Sequence, residues 1–223
     1  SVYHINDEKV IQIATKEFPN SITSENGNNK YALISNPEPY QLSSQWTALF
    51  SKHDLAVRNI NNGEFKSIIK GNPSSSRLSP AGNYAYGYNQ VDSTWYTYNL
   101  KTSKYIEITK GKLFYNELSD YPNYPSSYGS AGWTKNDKTI LVYDRYDIWE
   151  INPENGDSNR LTNGSELKTS YRLIKLDSDI EFIDTSKKLL MLTFNETTKN
   201  SGYYEFNPKK NECKQLMDGP YRY

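Results

Sequence analysis

Four segments of this chain end alike. "FKSIIKG" (65–71), "YIEITKG" (105–111), "SNRLTNG" (158–164) and "CKQLMDG" (213–219) are each a short strand-like run closed by a glycine. The closing glycines recur every 40 to 55 residues, and a period of that length marks a repeat architecture. Upstream of each closure lies a strand, a tight turn and a strand: "AVRNINNGEF" (56–65), "TYNLKTSKY" (97–105), "WEINPENGDS" (149–158) and "YEFNPKKNEC" (204–213). The Asn, Pro and Gly of these turns supply the backbone angles that hairpins require. A further strand pair around a polar turn precedes three of them: "RLSPAGNYAYGY" (77–88), "GWTKNDKTILVY" (132–143) and "FIDTSKKLLMLTF" (182–194).

Such a repeat offers four short strands in meander order. The expected fold is all-β: β-propeller blades, each a four-stranded antiparallel meander, with about four blades of a larger propeller over residues 1–223 and closures near 71, 111, 164 and 219. "SITSENGNNK" (21–30) and "YNELSDYPNYPSSYGS" (115–130) read as loops. An incomplete propeller exposes strand edges on its first and last blades, so the segment is expected to dimerise or aggregate unless loops cover them.

Composition narrows the function. With 26 basic and 26 acidic residues the net charge is zero, which gives no electrostatic case for nucleic acid or an anionic membrane surface. Aromatic residues make up 14% of the chain, with 20 Tyr and 4 Trp, as suits half-buried strands. Cys213 is the only cysteine; it permits no internal disulfide and no cysteine-based zinc site, and it reads as a small half-buried residue. His4 and His53 are isolated, so no metal and no cofactor is expected. No apolar run reaches the roughly 18 residues of a membrane span. The chain opens at Ser1 and reads as an excised segment. Asn163-Gly164-Ser165 and Asn195-Glu196-Thr197 match the glycosylation acceptor pattern.

The stretch "DRYDIW" (144–149) gathers two carboxylates, a guanidinium, a phenol and an indole. Two readings stand. In one, Asp144 or Asp147 bonds turn amides, Arg145 pairs with a carboxylate and Trp149 fills space between blades. In the other, Arg145 or Asp147 reaches a central channel and touches a peptide. "EPYQLSSQW" (38–46) bends at Pro39; Tyr40 and Trp46 pack on a blade, or Glu38 faces a substrate or a neighbouring domain. In the 115–130 loop, Tyr115, Tyr121, Tyr124 and Tyr128 lie among prolines and either form an interaction surface or fold back on their own blades. The contact candidates are Glu38, Tyr40, Tyr121, Tyr124, Arg145 and Asp147; no residue is a catalytic candidate.

The ordered series "EPYQLSSQW", "RLSPAGNYAYGYN" (77–89), "YGSAGWTKNDKTILVYDRYDIWEINP" (128–153) and "FNETTKNSGYYEFN" (194–207) resembles the N-terminal propeller of bacterial serine peptidases of the prolyl oligopeptidase family, in particular the Bacteroidetes type. The resemblance runs from about residue 31 to the C-terminus. It implies a propeller capping an α/β-hydrolase domain that holds a Ser, Asp, His triad and follows in the chain. It also implies peptide substrates, gating by steric exclusion, and export to the periplasm or beyond. No G-x-S-x-G elbow occurs here, so the resemblance implies a cap and not the peptidase activity. In the family's dipeptidyl-peptidase branch two adjacent glutamates hold the substrate amino group; here Glu150 is followed by Ile151, and the pair is broken. The alternative is a free-standing propeller module that binds a protein or glycan partner.

Overall fold

The computed structural model describes residues 1–22, 30–47, 51–177 and 179–220. Four four-stranded antiparallel sheets follow one another, each with its strands in chain order. Blade 1 comprises β3 (Asn20–Ile22), β4 (Tyr31–Asn36), β5 (His53–Asn59) and β6 (Phe65–Asn72). Blade 2 comprises β7 (Ser76–Leu78), β8 (Tyr84–Asn89), β9 (Thr94–Asn99) and β10 (Tyr105–Glu107). Blade 3 comprises β11 (Ser130–Trp133), β12 (Ile140–Tyr143), β13 (Ile148–Ile151) and β14 (Ser158–Arg160). Blade 4 comprises β15 (Thr169–Leu173), β16 (Leu189–Asn195), β17 (Ser201–Asn207) and β18 (Glu212–Gly219). A two-stranded hairpin of β1 (Val2–His4) and β2 (Lys9–Ile11) precedes them. The fold is all-β, and its unit is the propeller blade.

The chain forms two compact units. One holds Ser1–Glu107 with Tyr121–Tyr124; the other holds Ile108–Asp120 with Pro125–Tyr223. In the first unit, Leu33, Leu55 and Val57 of blade 1 pack against Leu78, Ala85, Tyr98 and Leu100 of blade 2. In the second, Leu141, Tyr143 and Ile148 of blade 3 pack against Tyr171, Met191 and Phe206 of blade 4. Every residue of β12 is buried. A strand covered on both faces reads as a continuous apolar run, which is why "ILVY" shows no alternation. Each such Leu or Ile contributes about 2 kcal/mol through burial.

One turn closes the third and fourth strands of every blade. Asn99 ends β9; its side-chain oxygen accepts the N–H groups of Lys101 (3.0 Å) and Thr102 (2.9 Å). The Ser103 N–H donates to the Asn99 carbonyl, and the Asn99 N–H to the Lys104 carbonyl. Ser103 is left-handed, with φ +62°. Asn59 and Asn207 end their strands, and Asn152 follows directly on β13, with the same side-chain cap, and the fourth residue after each is again left-handed: Gly63, Gly156 and Asn211. Asn suits the site because its short amide mimics a turn of backbone.

Several expectations need correction or placing. The 38–46 segment is not a simple bend. Glu38–Tyr40 form a 3-10 turn that runs into helix α1 (Gln41–Thr47), with Pro39 in its first turn, where a missing N–H costs nothing. The 21–30 loop begins only after β3, and residues 23–29 lie outside the described residues, as does the side chain of Trp46. Cys213 is exposed rather than half-buried. The 115–130 loop has structure of its own: Tyr115 bridges Ser127, and the Asn116 N–H donates to the Ser126 carbonyl at 2.7 Å. A second short helix, α2 (Gly164–Leu167), joins blades 3 and 4. Among the described residues no helix is long and apolar enough to cross a membrane.

Candidate functional site

The DRYDIW turn sits where blade 3 passes from its second strand to its third. Asp144 shapes it. One carboxylate oxygen accepts the Tyr146 N–H (2.9 Å) and the Asp147 N–H (2.5 Å), and the other accepts the Trp149 indole N–H (2.7 Å). Burial raises the Asp144 pKa, and these donors oppose the rise. Trp149 meets the Phe114 ring edge-on at 5.8 Å. Beneath the turn lies Arg172. Its guanidinium donates to the carbonyls of Tyr171 (2.8 Å), Asp144 (3.0 Å) and Arg145 (3.0 Å) and lies 4.7 Å from the Tyr143 ring centre. Desolvation lowers its pKa.

Asp147 is fully buried. Its carboxylate accepts the Thr162 hydroxyl (2.6 Å), the Gly164 N–H and the Ser165 N–H (3.1 Å). These bonds hold the crossover from blade 3 to blade 4. Only glycine fits at 164: a methyl group there would overlap the carbonyl oxygen of Thr169. The Arg160 Nη1 lies 3.7 Å from the same carboxylate, so Asp147 ties β13 to β14 and to the crossover.

Arg145 points the other way. Its Nε and Nη2 donate to the two oxygens of Glu196 at 3.0 and 2.6 Å, a bidentate fork. Its Nη1 lies 3.5 Å from Glu117. The Tyr146 hydroxyl donates to Glu196 at 2.7 Å, while the Tyr146 ring lies under both Arg145 (4.9 Å) and the Lys168 ammonium (5.4 Å). The Tyr128 hydroxyl donates to Glu117 at 2.9 Å. The Arg145 hydrogen bonds hold the Glu196 carboxyl below its ordinary pKa and raise that of the guanidinium. Four loops of the second unit thus converge in one partly exposed cluster of two acids, two bases and two phenols. It could meet a polar peptide through the guanidinium edge or the phenol faces.

Sequence reasoning named Arg145 and left out Glu196, Glu117 and Arg172. A signal for Glu196 existed in the phase of the repeat. Arg145 and Glu196 each follow the second strand of their blade, so neighbouring blades bring them side by side.

The remaining candidates belong to the first unit. Glu38 is exposed, and its N–H donates to the Asn36 side chain at 2.9 Å. The Tyr40 hydroxyl donates to Asp54 at 2.6 Å, and Asp54 also accepts the Gly71 N–H at 2.8 Å. The Asp54 hydrogen bond is the main cause that raises the Tyr40 pKa. On the 115–130 loop Tyr121 is 78% and Tyr124 38% exposed.

No family model matches the sequence, and no curated protein does. Solved structures do. A eukaryotic initiation factor matches 93% of this chain with 45% of its own, at 10% identity and a TM-score of 0.53. The β-propeller domain of the Trilobed protease from Pyrococcus furiosus matches 90% with 58% of its own, at 11% identity and a TM-score of 0.47. Porphyromonas gingivalis dipeptidyl peptidase 4 matches 93% with 33% of its own, at 13% identity and a TM-score of 0.46. The chain therefore spans less than two thirds of each of these three. Likeness at such identities concerns the fold alone.

Proposed function

We propose that these blades are the non-catalytic propeller segment of a serine peptidase of the prolyl oligopeptidase family, exported from the cytoplasm, and that they gate peptide access to an α/β-hydrolase domain of the same polypeptide. The observation that carries the reading is the blade 3 turn. The motif that most resembles the family, "YGSAGWTKNDKTILVYDRYDIWEINP", builds a blade whose turn presents Arg145, braced by Glu196 and Tyr146. Bracing fixes the guanidinium in place, so a peptide would meet a preorganised contact at little cost in side-chain entropy. The walls exclude folded substrates sterically, and the reactive groups belong to the hydrolase domain.

The test compares residues 1–223 with the complete gene product. A fluorophosphonate probe should label the complete product, which should also hydrolyse a chromogenic prolyl or alanyl peptide. Residues 1–223 should do neither. An unlabelled, inactive complete product would overturn the reading. It would favour a free-standing module that binds a protein or glycan, for which the exposed Tyr121 ring is the supporting observation.

A further inference from the structure

The hairpin of β1 and β2 obeys the rule of the blades it precedes. In blades 1 to 4 the residue before the turn asparagine pairs with the sixth residue after that asparagine: Arg58 with Phe65, Tyr98 with Tyr105, Ile151 with Ser158, and Phe206 with Cys213. At the N-terminus His4 takes the asparagine's place, and Tyr3 pairs with Val10, the same register. The fourth residue after the asparagine is left-handed in every blade; the fourth after His4 is Glu8, with φ +51°. The ninth is Ile108 in blade 2 and Leu161 in blade 3, both buried; the ninth after His4 is Ile13, also buried. Ile11, Ile13 and Phe18 cover Ile34 and Ala56 of blade 1, on the opposite face from the residues that meet blade 2. The hairpin is stacked on blade 1 as one blade is stacked on the next.

Each third strand in the four blades is paired on both edges. Among the described residues β1 is paired only with β2. The counterparts of Tyr3 on the second strands are Ala32, Ala85, Ile140 and Leu189, all apolar. Three of the four residues equivalent to Tyr3, namely Tyr98, Ile151 and Phe206, are buried, while Tyr3 is 56% exposed.

We propose that residues 2–15 are the outer half of a further blade, and that the free edge of β1 is a docking site for that blade's inner hairpin. The occupant is the stretch of the same polypeptide immediately before Ser1. In blades 2, 3 and 4 the second strand enters the third through a short turn, which places the inner strands just upstream. The docking strand runs antiparallel to β1, bonds its outward N–H and C=O groups, and sets an apolar residue opposite Tyr3. Strand addition of this kind draws affinity from main-chain hydrogen bonds and register from the pockets for alternate side chains.

Amide hydrogen exchange tests this, with residues 1–223 compared against the same protein extended by the residues that precede Ser1 in its gene. The Tyr3 amide should exchange freely in the shorter protein and at least about 100-fold more slowly in the longer one. Equal exchange in both would overturn the proposal, as would protection in residues 1–223 that rises with protein concentration, which would make a second copy the occupant. The peptidase activity of the gene product does not enter this readout, so the two proposals fail separately.

Discussion

Blades 2 and 3 carry different residues five positions before the turn asparagine, and this difference accompanies a change in how each hands the chain on. Five residues before the turn asparagine, blade 3 carries Asp147 and blade 2 carries Thr94. The Asp147 carboxylate reaches seventeen residues ahead to the Gly164 N–H and pins the crossover into a tight bend at α2. Blade 1 uses the same device at the same separation, with Asp54 on the Gly71 N–H. Thr94 has no such reach. Its hydroxyl is buried and finds no hydrogen-bond partner among the described residues, and the glycine seventeen residues on, Gly111, has open space where a side chain would go. The chain leaves blade 2 in the long 108–129 segment instead. A carboxylate at this position makes a short crossover, and its absence leaves length for a loop that carries Glu117, Tyr121 and Tyr128.

The sharpest way to break this comparison is at the two glycines. Gly164→Ala forces a methyl group into the Thr169 carbonyl and is expected to cost about 4 kcal/mol or abolish folding. Gly111→Ala meets only the left-handed backbone at φ +75° and should cost about 1 kcal/mol. Urea unfolding of both variants reads the difference; equal costs would refute it.

The carboxylates come next. Asp147→Ala leaves Thr162, Gly164 and Ser165 without their shared acceptor, for a loss of about 3 kcal/mol. Asp54→Ala loses two bonds in a half-exposed setting and should cost about half as much. A reversed order would show that the two locks are not equivalent. Thr94→Val gives the smallest effect. It removes a buried hydroxyl with no hydrogen-bond partner among the described residues, so stability should stay level or rise by about 1 kcal/mol; a marked loss would reveal a partner for that hydroxyl.

A pH effect accompanies the first unit. Burial depresses the His53 imidazole below its ordinary pKa of 6.5, so the folded state resists protonation. His53 should cost no stability above pH 6.5 and cost progressively more as pH falls from 6.5 toward the folded value. His53→Phe should flatten that part of a stability–pH curve.

Much of the fold was legible because its signals are local. Asn59, Asn99, Asn152 and Asn207 act on amides two or three residues away, so the strand–turn–strand pattern stands in the sequence. The N-terminal hairpin escaped notice because His4 and Glu8 replace the Asn and Gly that advertise the turn. Helix α1 escaped because "QLSSQWT" carries no apolar period to mark it. The site was half legible. Arg145 and Asp147 stand in one motif, but what separates them is their partners: Glu196 lies 51 residues from Arg145, and Gly164 lies 17 from Asp147. Alternation along a strand gives a side, not a partner.

In the proposed function these walls sort substrates by size for a reaction carried out elsewhere in the polypeptide. The direct measurement is a rate ratio for the complete gene product, taken between a short chromogenic peptide and the same sequence set in a loop of a stably folded carrier. The account predicts rapid cleavage of the free peptide and an intact carrier until the carrier is unfolded. Equal cleavage of the peptide and the folded carrier would contradict it.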